Sequence, residues 1–205
     1  MMIVIVDYKT GNLGSIQNML KKIGEKSIIS SDPEKLYEAD KIILPGVGSF
    51  NKGVRSLKEL GLWEPLNKRV LVDKVPILGI CLGAQLMTRG SEEGQELGFG
   101  WVDAYTYRFK IDRASKFKVP HMGWNKVGIL KDSKLMANMF EDARFYFVHS
   151  YHMTFSDLEQ RLLSSAYTYD FDAAFEYNNI LGLQFHPEKS HKYGMILLKN
   201  FVDNY

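Results

Sequence analysis

Short apolar runs recur through the first half of the chain, and each precedes a polar stretch that carries an apolar stripe at helical spacing. Ile3 to Val6, Ile42 to Leu44 and Ile77 to Ile80 are rich in Ile, Val and Leu and about one strand long, the pattern of strands covered on both faces. Behind the first run lie Leu13, Ile16, Leu20 and Ile23, stepping by three and four residues; behind the second, Val54, Leu57 and Leu60 step by three. Strand, helix, strand, helix predicts a parallel sheet with helices packed on it. The second half reads differently. "WVDAYTYRFKI", "FYFVHSYHM" and "SSAYTYDFDAAFEYNNILGLQFH" are aromatic and β-branched with polar interruptions, which predicts hairpins or antiparallel strands added to the sheet. A closing helix is predicted over Met195 to Val202. No linker rich in Pro, Gly or Ser parts the halves, so the sequence predicts one α/β domain over residues 1–205.

Composition narrows the function. At 205 residues and 45% apolar content the chain can bury a sizeable core. Its 26 basic and 24 acidic residues nearly cancel, which removes any electrostatic drive toward nucleic acid or an anionic membrane and points to a small molecule or a protein as partner. One cysteine cannot close an internal disulfide, and "MMIVIVDYKTGN" has no basic segment, long apolar core or cleavage site, so the cytoplasm is the expected compartment. No apolar stretch approaches the roughly 20 residues of a spanning helix. His149 and His152 stand three apart, but no CxxC or other metal spacing accompanies them, so neither a metal nor a cofactor is predicted. "RFKIDRASKFK", with five basic residues against one aspartate, reads as a solvated hairpin, or alternatively as a surface for an acidic partner or a phosphate.

The cysteine draws most of the chemistry. Gly79-Ile80-Cys81-Leu82-Gly83 is a G-x-C-x-G element at a predicted strand-to-helix junction, where a nucleophile elbow leaves little room two positions either side of the turn. Such a turn sets the thiol at a helix N-terminus, whose N–H groups favour the thiolate and can serve as oxyanion donors. A buried structural cysteine is the competing reading. A thiol nucleophile needs a base, and "GLQFHPEKS" offers His186 with Glu188. If this segment ends a strand, alternation puts both side chains on one face, with Pro187 pointing away, so the carboxylate can orient the imidazole. Gln85 lies one helical turn beyond Cys81, placed to hydrogen-bond a ligand at the thiol.

Together "GICLGAQLM", "FHPEKS" and "ILPGVGSF" resemble the class I, or triad, glutamine amidotransferases, with Cys81, His186 and Glu188 matching nucleophile, base and orienting acid. The resemblance covers nearly the whole chain. It implies a three-layer, flavodoxin-like α/β domain with a mostly parallel central sheet and added antiparallel strands. It implies L-glutamine as substrate, oxyanion donors at Leu82 and in the loop Pro45-Gly46-Val47-Gly48, chiefly Val47, and a loop that has to reorient before the hole is complete. Glu93, Ser150 and Tyr151 would read the α-amino and carboxylate groups of the substrate. "DYKTGNLGS", "PHMGWN" and "FVHSYH" are most similar to the branch formed by glutaminase subunits of imidazole glycerol phosphate synthases, in L-histidine biosynthesis. That branch implies a (β/α)₈-barrel cyclase that accepts the ammonia, with Asn12, Trp124, Tyr146 and Lys189 near its interface. Two alternatives stand beside it. Lys9 departs from the usual "DYG", and "PEKSHKYG" resembles relatives that supply ammonia for amidine formation on bacterial surface sugars. A cysteine-elbow peptidase or a redox-sensing binding protein would keep the scaffold and change the chemistry.

Overall fold

The computed structural model describes residues 1–112 and 116–205. The chain runs β1 (Ile3–Val6), α1 (Leu13–Lys22), β2 (Ser27–Ser30), α2 (Pro33–Tyr37), β3 (Lys41–Leu44), α3 (Phe50–Glu59), α4 (Trp63–Asn67), β4 (Ile77–Ile80) and α5 (Leu82–Leu86). It continues through β5 (Ala104–Arg108), β6 (His121–Lys126), β7 (Gly128–Ile129), β8 (Arg144–His149), β9 (Tyr151–Phe155), β10 (Arg161–Ala166), β11 (Asp170–Tyr177), β12 (Ile180–Leu183) and α6 (His191–Asn204). The large sheet has the order β2-β1-β3-β4-β12-β11-β10-β7. From β2 to β12 the neighbours are parallel; β11, β10 and β7 continue it antiparallel.

Both faces of the parallel part are covered, which is why its strands are almost purely apolar. Alternation along β1 sends Ile3 and Ile5 to one side, where they meet Ile16 and Leu20 of α1 and Leu197 and Phe201 of α6. Val4 and Val6 face the other side with Val54 and Leu57 of α3, Leu66 of α4 and Leu86 of α5. Helix, sheet and helix therefore form three layers, and no helix among the described residues is long and apolar enough to cross a membrane.

Four local differences from the sequence expectation have physical causes. β2 was not anticipated: "SIIS" has only two apolar residues, and as an edge strand it is half-buried throughout. β12 belongs to the parallel core, since it pairs parallel with β4 and antiparallel with β11. β8 and β9 are joined by Ser150 alone yet make no hairpin, because β8 pairs with β6 in a separate sheet while β9 pairs with β5 and β11. Finally, no strand occurs among the described residues of "IDRASKFK". Its flanks are irregular and tied by the Lys110 and Lys118 N–H groups to the hydroxyls of Tyr169 and Tyr167; residues 113–115 lie outside the described set.

Candidate active site

Cys81 makes the turn between β4 and α5 alone, with φ 54° and ψ −111°. A non-glycine residue in such a conformation costs on the order of 1–3 kcal/mol and persists only where neighbours hold it. They do: its N–H donates to Leu183 of β12 at 2.7 Å, and its carbonyl accepts the N–H of Gln85 at 3.1 Å. The flanking glycines are required by close approach. A Cβ on Gly79 would stand 2.7 Å from the Cα of Ala84, and one on Gly83 would overlap the Leu44 carbonyl at the end of β3. Gly83→Ala is expected to destabilise the fold by about 2–3 kcal/mol, the scale of overpacking in a tight core, read as a lowered midpoint in denaturant unfolding.

His186 follows β12 and is held by its N–H bond to the Tyr146 carbonyl at 2.9 Å. Its Nδ1 lies 2.8 Å from Oε1 of Glu188, and both side chains are only 2% exposed. The pair meets as the sequence suggests, by a different route: Pro187–Lys189 is a 3₁₀ turn, not strand continuation, and proline suits its first position because it lacks an N–H to satisfy. Nδ1 thus donates to the carboxylate. Nε2 is buried without a hydrogen bond in this geometry. Burial alone would favour the neutral ring, but interactions with Cys81 and with Glu188 outweigh it and push the imidazolium pKa up to about 10. Around the sulfur stand the Gln184 side-chain amide, Nε2 at 3.8 Å, and the Val148 carbonyl at 4.0 Å.

A cleft of about 340 Å³ opens beside the sulfur, bordered by Cys81, Leu82, Gln85, Glu93, Val47, Gly48, Ser150 and Tyr151. Every expected substrate-side residue is thereby brought to one place. Glu93 has a second task, since its Oε2 accepts the Phe50 N–H at 2.8 Å and caps the start of α3. Gln85 spends both amide hydrogens on protein, with Nε2 3.1 Å from the Tyr151 carbonyl and 3.0 Å from Oε1 of Gln184, so only its oxygen is left to offer a ligand. His149 supports the same stretch from behind: Nδ1 donates to the Tyr151 carbonyl at 2.7 Å, and Nε2 accepts from His121 at 3.0 Å. Burial holds His149 down to about 3 and His121 to about 4, so both rings stay neutral. Among the described residues no three metal-ligating side chains converge.

The expected oxyanion hole is not assembled in this conformation. The Leu82 N–H donates to the Gly46 carbonyl at 3.3 Å, so a carbonyl oxygen stands where a negative oxygen would have to bind. In a planar trans peptide C=O and N–H point opposite ways, so the Val47 N–H is turned from that spot. Tyr8, fully buried, anchors the loop by donating its hydroxyl to the Pro45 carbonyl. Of the four expected interface residues, three form one patch: Trp124 is 45% exposed, its ring lies 6.3 Å from that of Tyr146, and the Lys189 ammonium is 5.7 Å from the Tyr146 ring. Asn12 is exposed at the start of α1, the helix that packs on the 187–189 turn. Sequence reasoning passed over Gln184, Tyr8 and His121; the alternation Gln184, His186 in "LQFHPE" was the available signal for the first.

Fold and cluster define an α/β protein with a cysteine elbow facing a buried imidazole–carboxylate pair. The pattern of the family Glutamine amidotransferase class-I matches residues 4–204, and the chain belongs to that family. It is 52% identical over 201 residues to the imidazole glycerol phosphate synthase subunit HisH 2 of Methanococcus maripaludis, covering 98% of each chain. It is 46% identical over 202 residues to the protein of the same name from Pseudomonas aeruginosa, covering 98% of this chain and 99% of that one. The solved structure of PurLQS from Thermotoga maritima shares the fold, with a TM-score of 0.74 at 19% identity over 98% of this chain and 97% of that one. Family membership displaces the peptidase and redox-sensor readings.

Proposed function

We propose that this chain is the glutaminase subunit of an imidazole glycerol phosphate synthase: it hydrolyses L-glutamine to glutamate and hands the ammonia to a (β/α)₈-barrel cyclase in L-histidine biosynthesis. The observation that carries the reading is the 2.8 Å His186–Glu188 pair facing Cys81 at the mouth of the cleft, in a chain that matches relatives of that name over almost its full length. The Cys81 thiolate attacks the side-chain carbonyl of glutamine, and the carbon–nitrogen bond breaks as the imidazolium Nε2 passes its proton to the departing nitrogen. Ammonia leaves and a γ-glutamyl thioester remains. Water then attacks, neutral His186 takes its proton, and the sulfur departs as thiolate to release glutamate.

Each attack creates an oxyanion, and a donor at that point is worth on the order of 10²–10³ in rate. A half-turn of the Gly46–Val47 peptide withdraws the obstructing carbonyl, frees the Leu82 N–H and brings in that of Val47. Gly48, at φ +116°, supplies backbone freedom beside it. Docking of the cyclase is the natural trigger, because free ammonia is mostly protonated at neutral pH and useless as a nucleophile. Hydrolysis without a waiting acceptor wastes glutamine. The exposed Trp124 and Lys189, with the half-buried Tyr146 between them, offer the cyclase an aromatic and cationic surface beside the triad.

The test is to copurify the chain with its partner and assay glutamine hydrolysis alone, in the complex, and in the complex with the cyclase substrate. Hydrolysis is expected to rise on the order of 10²–10³-fold on full assembly. Equal rates in all three states would remove the switch, and a sugar-modifying synthetase as bound partner would overturn the pathway. The names of the relatives above favour the synthase over the sugar alternative.

A further inference from the structure

Gln184 is completely buried, and neither the triad nor the lining of the cleft accounts for it. An amide stays in a protein interior only when its hydrogen-bonding groups are used. The orientation of this one is fixed by a chain of partners that starts from an atom that cannot be reversed. The Tyr151 carbonyl only accepts, so the amide nitrogen of Gln85 must face it at 3.1 Å. The same nitrogen lies 3.0 Å from Gln184, which must therefore present its oxygen. The remaining end of Gln184, its Nε2, is then aimed at the Cys81 sulfur at 3.8 Å. Besides the His186 ring, few other groups nearby can do this. The Leu82 N–H is taken by Gly46, and the other neighbour at hydrogen-bond distance, the Val148 carbonyl, accepts only.

We propose that Gln184 is a positioning residue for the nucleophile: its amide donates to Cys81 Sγ, stabilises the thiolate and holds it at the mouth of the cleft, while Gln85 fixes the amide's sense. This rests on the reading of Cys81 as nucleophile and adds a fourth side chain to its setting. A donor to an anion lowers the proton affinity of that anion, so removing it makes the sulfur less reactive at neutral pH. Gln85 acquires a structural task independent of any contact it makes with substrate.

The chain's single cysteine makes alkylation by iodoacetamide a report on one thiol. In Gln184→Met, which keeps the length and loses the donor, the pH profile of alkylation is expected to move to higher pH, with the rate near neutrality falling roughly tenfold. Glutaminase kcat in the complex should fall by a similar factor. A second readout needs no variant: the side-chain amide proton resonances of Gln184 in the wild-type chain should shift when Cys81 is alkylated. An unchanged alkylation profile in folded Gln184→Met, or amide resonances unmoved by alkylation, overturns the proposal. Alkylation requires no glutamine, so failure of the glutaminase reading would show separately, as absence of hydrolysis in the wild-type complex.

Discussion

Replacing Cys81 by alanine is expected to lower glutamine hydrolysis by on the order of 10⁴-fold or more, the effect of deleting a nucleophile whose partners cannot act without it. The fold should hold. Alanine keeps the Cβ, and the bonds that fix the elbow run from backbone atoms, the N–H to Leu183 and the carbonyl from Gln85. Partner binding should hold as well, since the patch of Trp124, Tyr146 and Lys189 proposed above as the cyclase surface makes no use of the sulfur. The decisive comparison supplies the complex with ammonium salt at alkaline pH in place of glutamine. Synthesis from ammonia should survive in Cys81→Ala while synthesis from glutamine disappears; loss of both would indicate a defect in assembly rather than in the glutaminase.

Glu188→Gln is expected to lower kcat by on the order of 10⁴-fold, the loss that follows when the carboxylate orienting a catalytic histidine is made neutral. The pH profile makes the prediction specific. Burial lowers the pKa of the His186 ring, and Cys81 and Glu188 raise it, to about 10. The protonated ring is the acid that releases ammonia, so activity is present below that value and lost as pH rises through it. Removing the carboxylate removes one of the two raising influences, and the alkaline limb of kcat/KM should move to lower pH. A limb at its original position in Glu188→Gln would show that the carboxylate does not govern the imidazolium.

The parallel half of the fold was legible because burial on both faces leaves only apolar residues, as in Ile3 to Val6, all fully buried. The cysteine elbow was legible because backbone approaches backbone there. Gly83 lies against Leu44 and Gly79 against Ala84, and only glycine fits. The His186–Glu188 pair was found through an incorrect local structure, since a strand and a 3₁₀ turn both bring residues two apart within reach. The state of the oxyanion loop left no trace in the sequence, because peptide direction is not written in side-chain identity: "PGVG" is compatible with the Gly46 carbonyl facing Leu82 and with the Val47 N–H facing it. Gln184 and the His121–His149 pair were hidden for another reason. Each is a polar residue at the end of a strand or just past it, whose partner comes from a distant element that only folding supplies.

The central claim, that Cys81 carries the acyl group during glutamine hydrolysis, is tested most directly by acid-quenching the working complex and locating the thioester by peptide mass spectrometry. A γ-glutamyl adduct on the peptide containing Cys81, absent from Cys81→Ala, is the result predicted here. Glutamine turnover at the full rate with no adduct on that peptide would contradict it.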